Sequence, residues 1–246
     1  QVFAWDEVNN TPHDLGADAD GKTPRSYLSC VSEILSGETC IGTAKKERGE
    51  CRMDIVDSEI GYMGYKASES YGLTWKVRGL CIDLSNAATI FERVSVYGDI
   101  LNSDIHHMWY GMYSYGHQGG VWNNNIMHDN HEYGFDPHDD SDYLTIHNNI
   151  VFNNGNHGII ASKRCNHVSI QNNHVYSNRE SGIMLHRSSD YAVVKGNYVH
   201  DNYQAGLALV ESSNLDVQDN IFVNHTWGIR LTLGASDNQV SQHASV

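Results

Sequence analysis

The chain has 246 residues, with 30 Asp and Glu against 16 Lys and Arg and a formal net charge of −14 at neutral pH. Such a length supports one elongated domain with a substantial core, and the composition excludes a disordered chain, a collagen-like rod or a coiled coil. The acidic balance argues against a nucleic-acid partner, which would need a broad basic surface. It leaves open an acidic polymer held in a local cationic groove, because charges beyond about 8–10 Å are screened at physiological salt.

Residues 1–57 carry Pro12, Pro24 and the Cys-containing stretch from Ser29 to Cys51, with no regular repeat. They are predicted to form an irregular N-terminal cap over the open end of a second region, 58–246. Residues 1–20 lack the basic-then-apolar pattern of a signal peptide, and no apolar run reaches the length of a membrane span. The chain is therefore expected to be soluble and already processed. Of the five cysteines, Cys30, Cys40, Cys51 and Cys81 cluster near the N-terminus and Cys165 stands apart. Their spacing fits no zinc motif, so two disulfides among the first four are expected, formed in a secretory compartment; buried free thiols are the alternative.

From residue 58 onward the sequence repeats. Asn125, Asn149, Asn173, Asn197 and Asn220 recur at spacings of 24, 24, 24 and 23, in phase with Gly111, Gly134, Gly158, Gly182, Gly206 and Gly228. Within each period short segments alternate apolar with polar residues, as in Leu144-Thr145-Ile146 and Val168-Ser169-Ile170, and Asn, Asp or Gly punctuates them. Two or three short strands per period of about 24 predict an all-β chain, a right-handed parallel β-helix in which each coil buries its apolar residues against the next. The recurring Asn residues are read as turn residues that satisfy backbone groups between coils. His106, His107, His117, His128, His147, His174 and His200 are read as turn or packing residues. Trp109, Tyr110, Tyr113 and Trp122 suit either core or sugar-stacking positions. The repeats run almost to Val246 without a closing helix, so the natural chain is expected to continue beyond it.

One coil departs from the pattern. Where its neighbours read Gly158-Ile159-Ile160-Ala161-Ser162 and Gly182-Ile183-Met184-Leu185-His186, this coil reads Gly134-Phe135-Asp136-Pro137-His138, followed by Asp139 and Asp140. Strand alternation turns Phe135 and Pro137 inward and sends Asp136 and His138 outward, about 6–7 Å apart. A proline and several acids at a strand position oppose stability, which marks a place to look for function. Coil stacking at about 4.8 Å places His138 in a column between Tyr115 and Ser162, with His186 one coil further and Lys76 at its lower end. Such a polar, ionisable, partly aromatic face suits an acidic-sugar groove.

The run from His131 to Asp139, His-Glu-Tyr-Gly-Phe-Asp-Pro-His-Asp, resembles the YGFDPHD signature of the alginate (mannuronan) C5-epimerases. Tyr71-Gly72-Leu73-Thr74-Trp75-Lys76, Asn102-Ser103-Asp104-Ile105-His106-His107 and Tyr115-Gly116-His117-Gln118-Gly119-Gly120 resemble the algal branch of that family. The resemblance implies an isomerase that converts β-D-mannuronate to α-L-guluronate within a polyuronate chain, in a secreted or cell-wall setting. That chemistry removes the C5 proton beside a carboxylate and returns one to the opposite face. It needs a base, an acid and a donor that neutralises the carboxylate.

The family implies Tyr133 and His138 as the acid–base pair, with Asp136 tuning them. A histidine matching His131 is the base proposed in the periplasmic branch, so the choice of base stays open. Lys76 is the favoured neutralising cation and Arg179 lies two periods beyond His131, while Tyr115, Asp139, Lys163, Arg164, His186 and Arg187 are the other substrate-binding candidates. The basic residue that some relatives carry before the next glycine is replaced here by His157. A polyuronate lyase on the same fold, which would expel the C4 oxygen, is the nearest alternative, followed by a non-catalytic carbohydrate-binding β-helix. No cofactor is expected. Asp136, Asp139, Asp140 and Asp142 could offer oxygen ligands to calcium, which occurs in some relatives, but they match no EF-hand spacing. Asn224-His225-Thr226 is a glycosylation sequon.

Overall fold

The computed structural model describes residues 1–16, 20–33, 49–78, 94–241 and 244–245. Every regular element among them is a strand, and the long-range sheets are parallel. Each coil gives one short strand to each of three faces. A central coil supplies Ile126–His128, Phe135–His138 and Thr145–His147; the next supplies Ile150–Phe152, Ile159–Ser162 and Ser169–Gln171. Repeated along the axis, these strands build sheets of nine, eight and eight strands.

The period-2 pattern explains why such short segments hold. Met127, Val151, Val175 and Val199 form one buried column, Ile146, Ile170, Val194 and Val217 a second, and Phe135, Ile159, Ile183 and Leu207 a third, all fully shielded from solvent. Each such side chain contributes roughly 1.5–3 kcal/mol by burial, which no single coil could gain without neighbours.

The corners are fastened by asparagines. The Asn149 backbone N–H donates to Asn173 Oδ1 at 2.9 Å, and Asn149 Nδ2 donates to the same oxygen at 2.9 Å and to the Trp122 carbonyl at 3.0 Å. Asn125, Asn173 and Asn197 repeat this scheme. A second ladder, Asn130–Asn154–Asn178–Asn202, does the same at the next corner. Its period of 24 was present in the sequence but was not singled out. At the corner entering the third face, a Cβ on Gly134 would stand 2.4 Å from the Gly158 carbonyl oxygen, and one on Gly158 2.9 Å from that of Gly182. The glycine series thus permits the close approach of successive coils.

Replacing Asn173 with Ala is expected to lower unfolding stability by about 2–4 kcal/mol, because it strips partners from the buried Asn149 amide and Ile146 carbonyl. Urea unfolding checks this, and a loss below about 0.5 kcal/mol would show that the ladder does not fasten the coils.

Residues 1–57 also contribute strands. Val2–Phe3 pairs with Glu59–Gly61, Leu28–Glu33 with Gly72–Arg78, and Ile55–Val56 with Ile100–Leu101, one at the end of each sheet. Cys30 and Cys51 form a disulfide, Cys165 is a buried free thiol, and Cys40 and Cys81 lie outside the described residues. The Arg25 guanidinium is buried and donates to the carbonyls of His13, Met63, Gly64 and His107, clamping this region to two coils. Burial lowers its pKa to about 10. His117 packs between Trp75 and Trp122 in the core, where burial pushes it down to about 3.

Candidate functional site

On the third face, strand pairing aligns Lys76 with Tyr115, Tyr115 with His138, His138 with Ser162 and Ser162 with His186, the column expected from the period. Beside it, Thr74, Tyr113 and Asp136 are in register. Over these columns opens a cleft of about 410 Å³ lined by Tyr71, Tyr110, Tyr113, Tyr133, Asp136, His138, Asp139, Ile160, Ser162, Lys163, His186 and Arg187.

Asp136 points away from the core, as alternation requires, yet it is only 2% exposed. Four tyrosines crowd it. Tyr71 stacks on Tyr110 with ring centroids 4.4 Å apart, and Tyr133 meets Tyr110 edge-on at 5.0 Å. Burial and the nearby Asp136 charge push all four phenols upward, Tyr133 to about 12. Burial raises Asp136 itself from 3.8 to about 7, with Asp139 adding to the rise and His138 and Lys163 opposing it. Asp136 Oδ1 has no hydrogen-bond partner. A buried carboxyl with an orphaned oxygen at the floor of an open cleft is costly to the fold, and functional sites are where such costs are kept.

His138 is oriented from behind. Its Nδ1 lies 2.5 Å from Asp139 Oδ2. Burial would raise the Asp139 carboxyl, but the His138 hydrogen bond and the charges of His138, Lys163 and Arg164 outweigh that and hold it below the usual range. An ionised Asp139 only accepts, so Nδ1 carries the hydrogen, and it is Nε2 that holds the lone pair whenever the ring acts as a base. Lys163 Nζ stands 3.5 Å from Asp139, while Arg164 grips Asp140 through two 2.8 Å bonds. The Ser141 hydroxyl donates to the His138 carbonyl. Tyr133 sits in the corner before the strand Phe135–His138 and His138 at its end, so the two groups flank Asp136 from either side.

The remaining nominated residues divide. Lys76 is in the column but is engaged by Glu69 at 2.6 Å and lies over the Tyr115 ring at 5.3 Å, two coils from His138. Glu69 also binds Arg78. The cations that line the cleft are Lys163 and Arg187, and Arg187 is exposed with no ion pair among the described residues. His131 and Arg179 fall together elsewhere, in a neighbouring cleft of about 300 Å³ with Asp14, His107 and Asp129, where the His131 ring stacks on Trp109. Burial lowers the His131 pKa, as do the charges of Arg25 and Arg179. Among the described residues, no group of three or more His, Cys, Asp or Glu side chains converges as metal ligands.

Sequence reasoning passed over Tyr71 and Ile160 as cleft residues and His157 as the ring stacked on Tyr133 at 5.9 Å. The tyrosine at 71 had a signal, since it opens one of the segments quoted for the family resemblance.

A family model for a right handed beta helix region matches residues 79–244. The mannuronan C5-epimerase of Pseudomonas fluorescens is 36% identical over 146 residues, 59% of this chain and 23% of that protein. That of Pseudomonas syringae pv. tomato is 36% identical over 92 residues, 37% of this chain and 16% of that protein. The chain thus spans less than a quarter of the curated relatives it matches. Among solved structures, the periplasmic alginate epimerase AlgG superposes with a TM-score of 0.74 at 22% identity, covering 100% of this chain and 67% of that one. The Azotobacter vinelandii mannuronan C-5 epimerase AlgE4 A-module gives 0.58 at 14% identity, covering 89% and 67%. At these identities the likeness is one of fold.

Proposed function

We propose, for a chain that belongs to the right-handed β-helix family and gathers its ionisable groups on one face of that helix, the activity of a mannuronan C5-epimerase acting on a polyuronate chain. The observation that carries the reading is the placement of Tyr133 in the corner before one strand and of His138 at its end, both lining one cleft with the buried Asp136.

In this reading His138 Nε2, freed by the Asp139 hydrogen bond, removes the C5 proton from one face of the sugar. Tyr133, held protonated by burial, delivers a proton to the other face. The electron pair left at C5 delocalises into the adjacent carboxylate. Lys163 and Arg187 on the cleft rim meet that growing negative charge, and the neutral form of Asp136 can donate a hydrogen bond to it. The proton removed and the proton returned balance, so the reaction requires no redox cofactor. The relatives named as mannuronan C5-epimerases support the same substrate class. The Cys30–Cys51 disulfide and the likeness to a periplasmic enzyme support an extracytoplasmic location.

Incubating polymannuronate with the protein and recording proton NMR tests the reading. New guluronate signals without absorbance near 235 nm are expected. A rise at that wavelength would show β-elimination instead, and neither change would remove the enzymatic reading.

A further inference from the structure

A second cleft of about 390 Å³, with Met184, Ala208, Val210, Arg230 and Thr232 in its lining, opens further along the same sheet. Its floor is the extension of the first. Ile160 is in register with Met184, Met184 with Ala208 and Ala208 with Arg230, while His186 is in register with Val210 and Val210 with Thr232. The register therefore carries an apolar floor along the helix axis from the first cleft to the cation Arg230.

Arg230 is exposed, and its guanidinium lies over the Trp227 ring, 4.9 Å from the centroid. The ring holds the group in place without neutralising it, because a cation–π contact leaves the charge and the N–H donors available. No carboxylate among the described residues pairs with Arg230 or with Arg187 in the first cleft, whereas Lys76, Arg78, Lys163 and Arg164 on the same face are all tied to acids. The strand of Arg230 is four coils from that of His138. At about 4.8 Å per coil the separation is about 19 Å. A 1,4-linked pyranose advances its chain by about one coil step, so a polymer laid along this floor brings a carboxylate to Arg230 about four sugars from the reacting one.

Resting on the polyuronate reading above, we propose that Arg230, braced by Trp227, is a remote carboxylate subsite that makes binding depend on chain length. Met184, Ala208 and Val210 form the apolar bed between it and the reacting centre. The subsite holds substrate and transition state equally, so it acts on KM and not on kcat.

The test compares wild type, Arg230→Ala and Arg230→Lys on long polymannuronate and on a mannuronate trisaccharide, which is too short to reach from His138 to Arg230. Arg230→Ala is expected to raise KM for the polymer about threefold to fivefold, the upper part of the range of one exposed ion pair, with kcat within about twofold. The trisaccharide is expected to give the same constants with both proteins, and Arg230→Lys to recover part of the polymer affinity. An unchanged polymer KM in Arg230→Ala, or an equal loss on the trisaccharide, would overturn the subsite. Should wild type turn over neither substrate, the epimerase reading fails by itself, and retardation in a polyuronate-containing native gel decides the subsite. Weaker retardation of Arg230→Ala than of wild type would then support it, and equal retardation would overturn it.

Discussion

Replacing His138 with Ala, or Tyr133 with Phe, is expected to slow epimerisation by at least about a hundredfold while circular dichroism and unfolding stay close to wild type, since each removes one of two proton transfers worth about 10²–10⁴-fold. The two losses differ in kind. Without His138 no proton leaves C5, so exchange with solvent stops. Without the Tyr133 hydroxyl, His138 still removes and returns a proton on its own face, and exchange outlasts inversion. His131→Ala is expected to cost no more than about tenfold, because His131 lines the neighbouring cleft and stacks on Trp109. A near-wild-type His138→Ala alongside a dead His131→Ala would move the chemistry to that second cleft.

Asp136→Asn is expected to make the protein more stable and much less active. The Asp136 carboxyl is raised from 3.8 to about 7 by burial, so the folded state resists its ionisation. The stability tied to its neutral form is fully present below pH about 4, declines as pH rises through about 7, and is absent above that. A shift of this size corresponds to about 4 kcal/mol, and cleft water and Lys163 reduce what is realised. Denaturant unfolding at pH 8 is expected to show Asp136→Asn ahead of wild type by about 2–4 kcal/mol, with the gap closing near pH 4. Equal stability at both pH values would mean that Asp136 carries no burial penalty and that its orphaned Oδ1 is solvated. Turnover of the variant is expected to fall at least about tenfold, as an amide N–H is a weaker donor to the growing carboxylate charge than a carboxylic acid O–H.

The fold was legible because a strict period leaves little freedom. Once Gly134, Gly158 and Gly182 are aligned, the neighbours of His138 follow by counting, and Tyr115, Ser162 and His186 all stand where the count puts them. Counting gives the column of a side chain but not its partner. Lys76 occupies its expected rung, yet Glu69 reaches it from a loop outside the repeat. His131 lies two residues from Tyr133 but on the far side of a corner, where the chain turns between faces and one residue's difference selects another cleft. Asp136 was readable as outward-facing; its burial was not, because the cover comes from tyrosines at 71, 110 and 113 on two earlier coils together with Tyr133. Arg230 lies on an ordinary-looking strand, and only the continuity of the floor beneath it draws attention to it.

The most direct measurement is deuterium incorporation at C5 of polymannuronate in deuterated water, followed by NMR for wild type, His138→Ala and Tyr133→Phe. Deuterium is expected in the guluronate formed by wild type, none in any sugar with His138→Ala, and deuterium retained in uninverted mannuronate with Tyr133→Phe. Exchange that persists in His138→Ala, or that disappears together with inversion in Tyr133→Phe, would contradict the assignment of His138 as base and Tyr133 as acid.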